Sequence, residues 1–138
     1  MTSAVYYQGN LRTSCTHNQS GSTIETDAPV DNHGKGERFS PTDLLATSLA
    51  ACMLTVMGIK ASSMDTSLEN LCIEVEKIMA SDPRRVSEIK LNVKIPSSLI
   101  NLENRSKVIL KNTAETCPVL NSIHPGIKVA INWNEWAN

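Results

Sequence analysis

From Leu44 to Ile59 the chain runs for sixteen residues without a charge, and this run limits what the remainder can build. A membrane span wants about 20 predominantly apolar residues, and Thr47, Ser48 and Thr55 interrupt this shorter stretch, so a core helix is expected instead. Its start is well marked. Ser40 stands at the N-cap, Pro41 at the first helical position and Asp43 three residues after the cap. That spacing is an approximate capping box, and an acid in the first turn suits the helix dipole. Apolar residues fall on nearly every side of the helix, so burial on every side is expected, with Ala46, Ala50 and Ala51 allowing close approach. One small sheet offers too little cover for such a helix, and an intertwined homodimer would supply the rest.

The segments around it are punctuated by turn residues. Ala4 to Thr16 carries β-branched and aromatic residues, and Ser22 to Thr26 is expected to return beside it as a hairpin. Asp27 to Phe39 shows no periodicity and is long for a loop, which suggests a lid or rim near a site. Leu71, Ile73 and Val75 alternate with polar residues, as do Ile89, Leu91, Val93 and Ile95, which predicts two strands around a turn at Ser81 to Pro83. A second helix is predicted from about Leu102 to Ala114. Cys117-Pro118 breaks it, because proline lacks an amide donor and disfavours helical geometry in the residue before it. A short helix then restarts, and Ile127, Val129, Ile131 and Trp133 alternate in a last strand. The expected class is α+β, with antiparallel sheets, a long buried helix and a second, broken helix.

Bulk properties narrow the function. The 138 residues fit a single domain, 1–138, and 41% hydrophobic with 20% charged content argues against disorder. A net charge of −1, with Lys and Arg scattered, gives no general pull toward nucleic acid or an anionic membrane. The opening MTSAVYYQGN lacks the basic start and apolar core of a secretory signal, so a cytoplasmic protein is expected, with its cysteines reduced. There is no Cys-x-x-Cys, and Cys15-x-His17 is a poor metal site, since structural zinc needs four clustered ligands.

Four cysteines remain to be explained, at positions 15, 52, 72 and 117. Cys15 and Cys72 fall on predicted strands and are expected to be structural. Cys52 lies in the middle of the apolar helix, where a cysteine ordinarily acts as a small hydrophobe. Cys117 precedes a helix start, where free amides and the dipole favour a thiolate, so taken locally it is the easier thiol to ionise. Two thiols that approach each other can perform peroxide chemistry: one is oxidised to a sulfenic acid and the second closes a disulfide.

The stretch FSPTDLLATSLAACMLTVMGIKA, together with ETCPVLNSI, resembles the OsmC/Ohr family of thiol peroxidases, in its OsmC-like branch. The resemblance extends over most of the chain and implies the OsmC-like fold as an intertwined dimer. It makes Cys52 the peroxidatic and Cys117 the resolving cysteine, contrary to the local reading. It also implies an activating arginine, for which Arg12 is the candidate and Arg38 the reserve. The family's glutamate directly after the helix-starting proline is replaced by Thr42, and Asp43 is the first acid available to serve. The implied activity is reduction of organic hydroperoxides to alcohols in oxidative-stress defence, with an external dithiol as reductant and no metal, flavin or haem. The alternative is a non-catalytic dimeric module that binds a hydrophobic ligand or partner, which the missing glutamate favours. A thioesterase built on a helix wrapped by a sheet would suit the apolar helix but lacks a convincing acid at its centre.

Overall fold

In the computed structural model, which describes residues 1–137, the chain divides into two compact units, Met1–Leu45 and Ala46 onward. In the first, Gly9, Asn10 and Leu11 take positive φ values of 83°, 51° and 61° and turn the chain back on itself. The stretch expected to be one strand is therefore two, β1 (Ser3–Gly9) and β2 (Arg12–His17), joined by the two-residue turn Asn10-Leu11, whose positive φ values suit a tight hairpin. A third strand, β3 (Thr23–Asp27), pairs antiparallel with β2, in the order β1-β2-β3.

The register of β2 and β3 sets Arg12 opposite Asp27. Asp27 is 2% exposed, and its carboxylate accepts from Arg12 Nε at 2.7 Å, from Arg12 Nη2 at 2.8 Å and from the Glu37 amide at 3.1 Å. Arg12 Nη2 also reaches Glu37 Oε2 at 2.8 Å. The 28–39 loop, which contains a 3-10 turn at Val30–Asn32, is thus tied to the strands at its base. Further bonds run from the Asp27 amide to the Phe39 carbonyl and from the Gly36 amide to the Ala28 carbonyl. Gly34 is required by this closure, since a Cβ there would stand 1.7 Å from the Ala28 carbonyl oxygen.

The Arg12 hydrogen bonds hold the Asp27 carboxyl below its ordinary range, against the opposing effect of desolvation. A depressed carboxylate pKa stabilises the fold above the unfolded value of about 3.9, and that contribution is lost as pH falls through the lower folded value. Asp27→Asn is therefore expected to flatten the dependence of the urea midpoint on pH between about pH 5 and pH 2. An unchanged acid limb would show that the carboxylate contributes nothing.

The long apolar run forms α1 (Pro41–Ser62), and the expected capping box is present: the Asp43 amide donates to Ser40 Oγ at 3.1 Å, and the Ser40 amide donates to Asp43 Oδ2 at 2.8 Å. Burial follows one face of α1, through Ala46, Leu49, Ala50, Met53, Met57 and Ala61. The opposite side leaves Leu45, Ser48, Ala51, Thr55 and Ile59 exposed, since the elements of one chain cover a single face. By length and composition α1 could also cross a membrane, but its buried side chains belong to a core shared with β5 and α3.

That core is completed by β4 (Cys72–Ser81) and β5 (Arg84–Lys94), then α2 (Ser97–Ile100), α3 (Asn104–Ala114), α4 (Pro118–Ser122) and β6 (Lys128–Asn132). The hairpin β4-β5 is antiparallel as its alternation predicts, and Ile73, Ile89, Leu91 and Val93 turn inward. β6 departs from the antiparallel expectation and pairs parallel to β5, because three helices intervene and carry the chain back to the start of the sheet. Leu49, Met53 and Met57 of α1, Leu110 and Ala114 of α3, Cys117 and Trp136 fill the space on the inner side.

Candidate functional site

Cys117 owes its place to the proline after it. α3 ends at Ala114, Pro118 opens α4, and Cys117 between them is extended (φ −65°, ψ 147°), as a residue preceding proline is steered to be. Its side chain takes the N-cap role, with Sγ accepting from the Leu120 amide at 3.4 Å. It is fully buried and belongs to the core, whereas Cys52, halfway along α1, is half-buried and packs against the same core.

The two cysteines that the sequence singled out are brought together, both as free thiols. Burial pushes the Cys117 thiol above its ordinary range; the amides of Leu120 and Val119 oppose this, and a side-chain hydrogen bond and charge interaction with Cys52 add to it. The local expectation that Cys117 ionises more easily is thereby overturned. A short helix start supplies two amides, but removal from water outweighs them. The chemical result is a proton-bearing thiol held beside a second, more accessible one.

The other predicted site residues are placed as follows. Arg12 is engaged by Asp27 and Glu37, which hold its guanidinium firmly in the charged form. Neither carboxylate was singled out by sequence, because their meeting with Arg12 depends on strand register and loop closure. Asp43 closes the capping box at the start of α1, and Arg38 forms an exposed ion pair with Glu25 at 3.0 Å. Cys15 is half-buried on β2, and Cys72 is exposed at the start of β4.

Val56, Ile59 and Lys60 of α1, Ser63 just after it, and Thr113 and Thr116 line an open groove of about 400 Å³. A larger depression, about 530 Å³, lies over the outer face of β4, β5 and β6. Its lining includes Glu74, Glu76, Lys90 and Asn92 and no cysteine, and its Lys90–Glu76 contact of 3.4 Å is an exposed cross-strand pair. Neither the smaller groove nor the larger one is lined by a cysteine.

The OsmC-like protein family profile matches residues 34–132. A crystal structure of a Psychrobacter arcticus protein, described as an osmotic stress induced and detoxification response protein, is 56% identical over 96% of each chain, with a TM-score of 0.88. The organic hydroperoxide resistance protein OsmC of Legionella pneumophila is 20% identical over 95% of each chain, at a TM-score of 0.71. An organic hydroperoxide resistance protein from Elizabethkingia anophelis is 14% identical, covering 95% of this chain and 94% of that one, at a TM-score of 0.67. No curated protein sequence matches the chain. With the family profile spanning most of its length, and with an α+β fold similar to that of these structures, the chain belongs to the OsmC-like protein family.

Proposed function

We propose that this protein is a cysteine-based hydroperoxide reductase of oxidative-stress defence. The observation that carries the proposal is the buried, proton-retaining Cys117 thiol beside the more accessible Cys52. A pair so arranged divides the labour of thiol peroxidation. The Cys52 thiolate attacks the terminal oxygen of R–O–O–H; the O–O bond breaks, and the alkoxide takes a proton from water and leaves as R–OH. Cys52 is then a sulfenic acid, oxidised by two electrons. The Cys117 sulfur attacks the Cys52 sulfur, a disulfide forms, and hydroxide departs with the Cys117 proton as water. An external dithiol restores both thiols by exchange and is itself oxidised to a disulfide. Membership of a family that includes organic hydroperoxide resistance proteins supports the same chemistry.

Three further elements come with this proposal. Arg12 and Asp43 enter the site on the strength of the family resemblance, Arg12 as the cation that favours the thiolate. The protein works in the cytoplasm, where a dithiol reductant is at hand. It works as a homodimer, for which the exposed strip of α1 is the support: Ile59 is 70% exposed and Leu45 38%, an apolar side that a second copy would cover.

The test is consumption of cumene hydroperoxide, and separately of hydrogen peroxide, by the purified protein with a dithiol. Rapid loss of the organic peroxide is expected. Cys117→Ser is expected to leave one stoichiometric turnover and then stall, with the Cys52 sulfenic acid captured by a dione probe. No consumption by the unaltered protein, with the thiols still free afterwards, would leave the fold as a binding module.

A further inference from the structure

We propose that Cys117 is a general acid as well as the resolving thiol, giving its S–H proton to the alkoxide as the O–O bond breaks. This role rests on the peroxidase reading above and deepens its first step. Cys117 Sγ stands in a directional chain of hydrogen bonds. The Leu120 amide donates to it at 3.4 Å, and Cys117 in turn donates its S–H toward Cys52. The direction of the second bond follows from its effect, since a bond that keeps the proton on Cys117 is one in which Cys117 is the donor. The amides of Leu120 and Val119 act the other way and stabilise the sulfur anion once the proton has left.

Burial holds the proton in place until a strong base appears, and a thiol that keeps its proton is a poor nucleophile. Resolution therefore needs a base to take that proton. Among the described residues, no carboxylate or imidazole is buried after Ser40, so the core around Cys117 supplies none. The reaction supplies one, because an alkoxide is a stronger base than a thiolate and is released beside Cys52. The Cys52 thiolate bonds to the terminal oxygen of R–O–O–H, the O–O bond breaks, and the R–O oxygen takes the Cys117 proton and leaves as R–OH. Cys52 is then S–OH and Cys117 a thiolate. That thiolate attacks Cys52 Sγ, the S–O bond breaks, the disulfide forms, and hydroxide leaves to take its proton from solvent. Cys117 thus replaces water as proton donor in the first step and water replaces Cys117 in the second, with the overall reaction unchanged.

The experiment measures the first turnover by quenched flow, with one equivalent of oxidant and no reductant, and with Cys52→Ser subtracted for the other thiols. Cumene hydroperoxide is compared with perbenzoic acid, whose leaving group departs as a carboxylate and needs no proton. Cys117→Ala is expected to slow the cumene hydroperoxide reaction about 100-fold, the scale of a lost general acid, while the perbenzoic acid rate changes by less than about threefold. Cys117→Ser keeps a cap acceptor for the Leu120 amide and so preserves the start of α4. Its hydroxyl is a weaker acid than the thiol, and the same selective loss is expected. Cumene hydroperoxide rates in both variants that match the unaltered protein would leave Cys117 with resolution alone and overturn the acid role. An equal loss with both oxidants would overturn it as well, by reducing Cys117 to a packing partner of Cys52. Failure of the unaltered protein to consume cumene hydroperoxide would overturn the peroxidase reading itself.

Discussion

Cys52→Ser is expected to reduce hydroperoxide turnover by about a thousandfold or more, the scale on which enzymes lose rate when the attacking nucleophile is removed. A serine hydroxyl at that position of α1 has no base to activate it and cannot pass through a sulfenic acid. The substitution exchanges one small, half-buried side chain for another of nearly the same shape, so the core of Leu49, Met53 and Met57 is preserved. Activity and folding are thereby separated: the initial rate of cumene hydroperoxide loss falls to background while the urea midpoint stays close to that of the unaltered protein. Turnover that survived the change would transfer the attack to another thiol and remove Cys52 from the mechanism.

The largest loss of stability is expected from Trp136→Ala, about 3–5 kcal/mol in urea unfolding. Trp136 is fully buried, stacks on Trp133 with ring centroids 6.4 Å apart, and donates its indole N–H to the Leu99 carbonyl at 3.0 Å. Its own carbonyl accepts from Lys111 Nζ at 2.8 Å. One residue thus ties the segment after β6 to α2 through its side chain and to α3 through its backbone carbonyl. Truncation opens a cavity in the core and leaves the Leu99 carbonyl without its donor. Native domains are stable by only about 5–15 kcal/mol, so a loss of this size consumes much of the margin. A change below about 1 kcal/mol would mean that the indole is peripheral to the core.

Local signals made the central helix and the second cysteine motif legible in advance. The start of α1 rests on Ser40, Pro41 and Asp43, and the break before α4 on Pro118; both are local rules that need no knowledge of the rest of the chain. The alternation of Ile89, Leu91 and Val93 likewise marks β5 without help from its neighbours. What could not be read depends on partners distant in sequence. The turn at Gly9 to Leu11 was hidden because strand-forming residues stand on both sides of it. β6 runs parallel to β5 because of where the intervening helices return the chain, which alternation in β6 alone does not encode. Asp27 read as the first residue of the non-periodic loop until register placed it on β3 against Arg12. At Cys117 a helix start and burial pull the thiol in opposite directions, and only packing decides that burial wins.

The pairing of Cys52 with Cys117 is tested most directly by treating the fully reduced protein with one equivalent of cumene hydroperoxide, then counting thiols and mapping peptides without reductant. Two of the four thiols are expected to disappear, with cumyl alcohol formed in equal amount and the Cys52 and Cys117 peptides joined by a disulfide. Four free thiols beside intact peroxide, or oxidation confined to Cys15 and Cys72, would contradict the account.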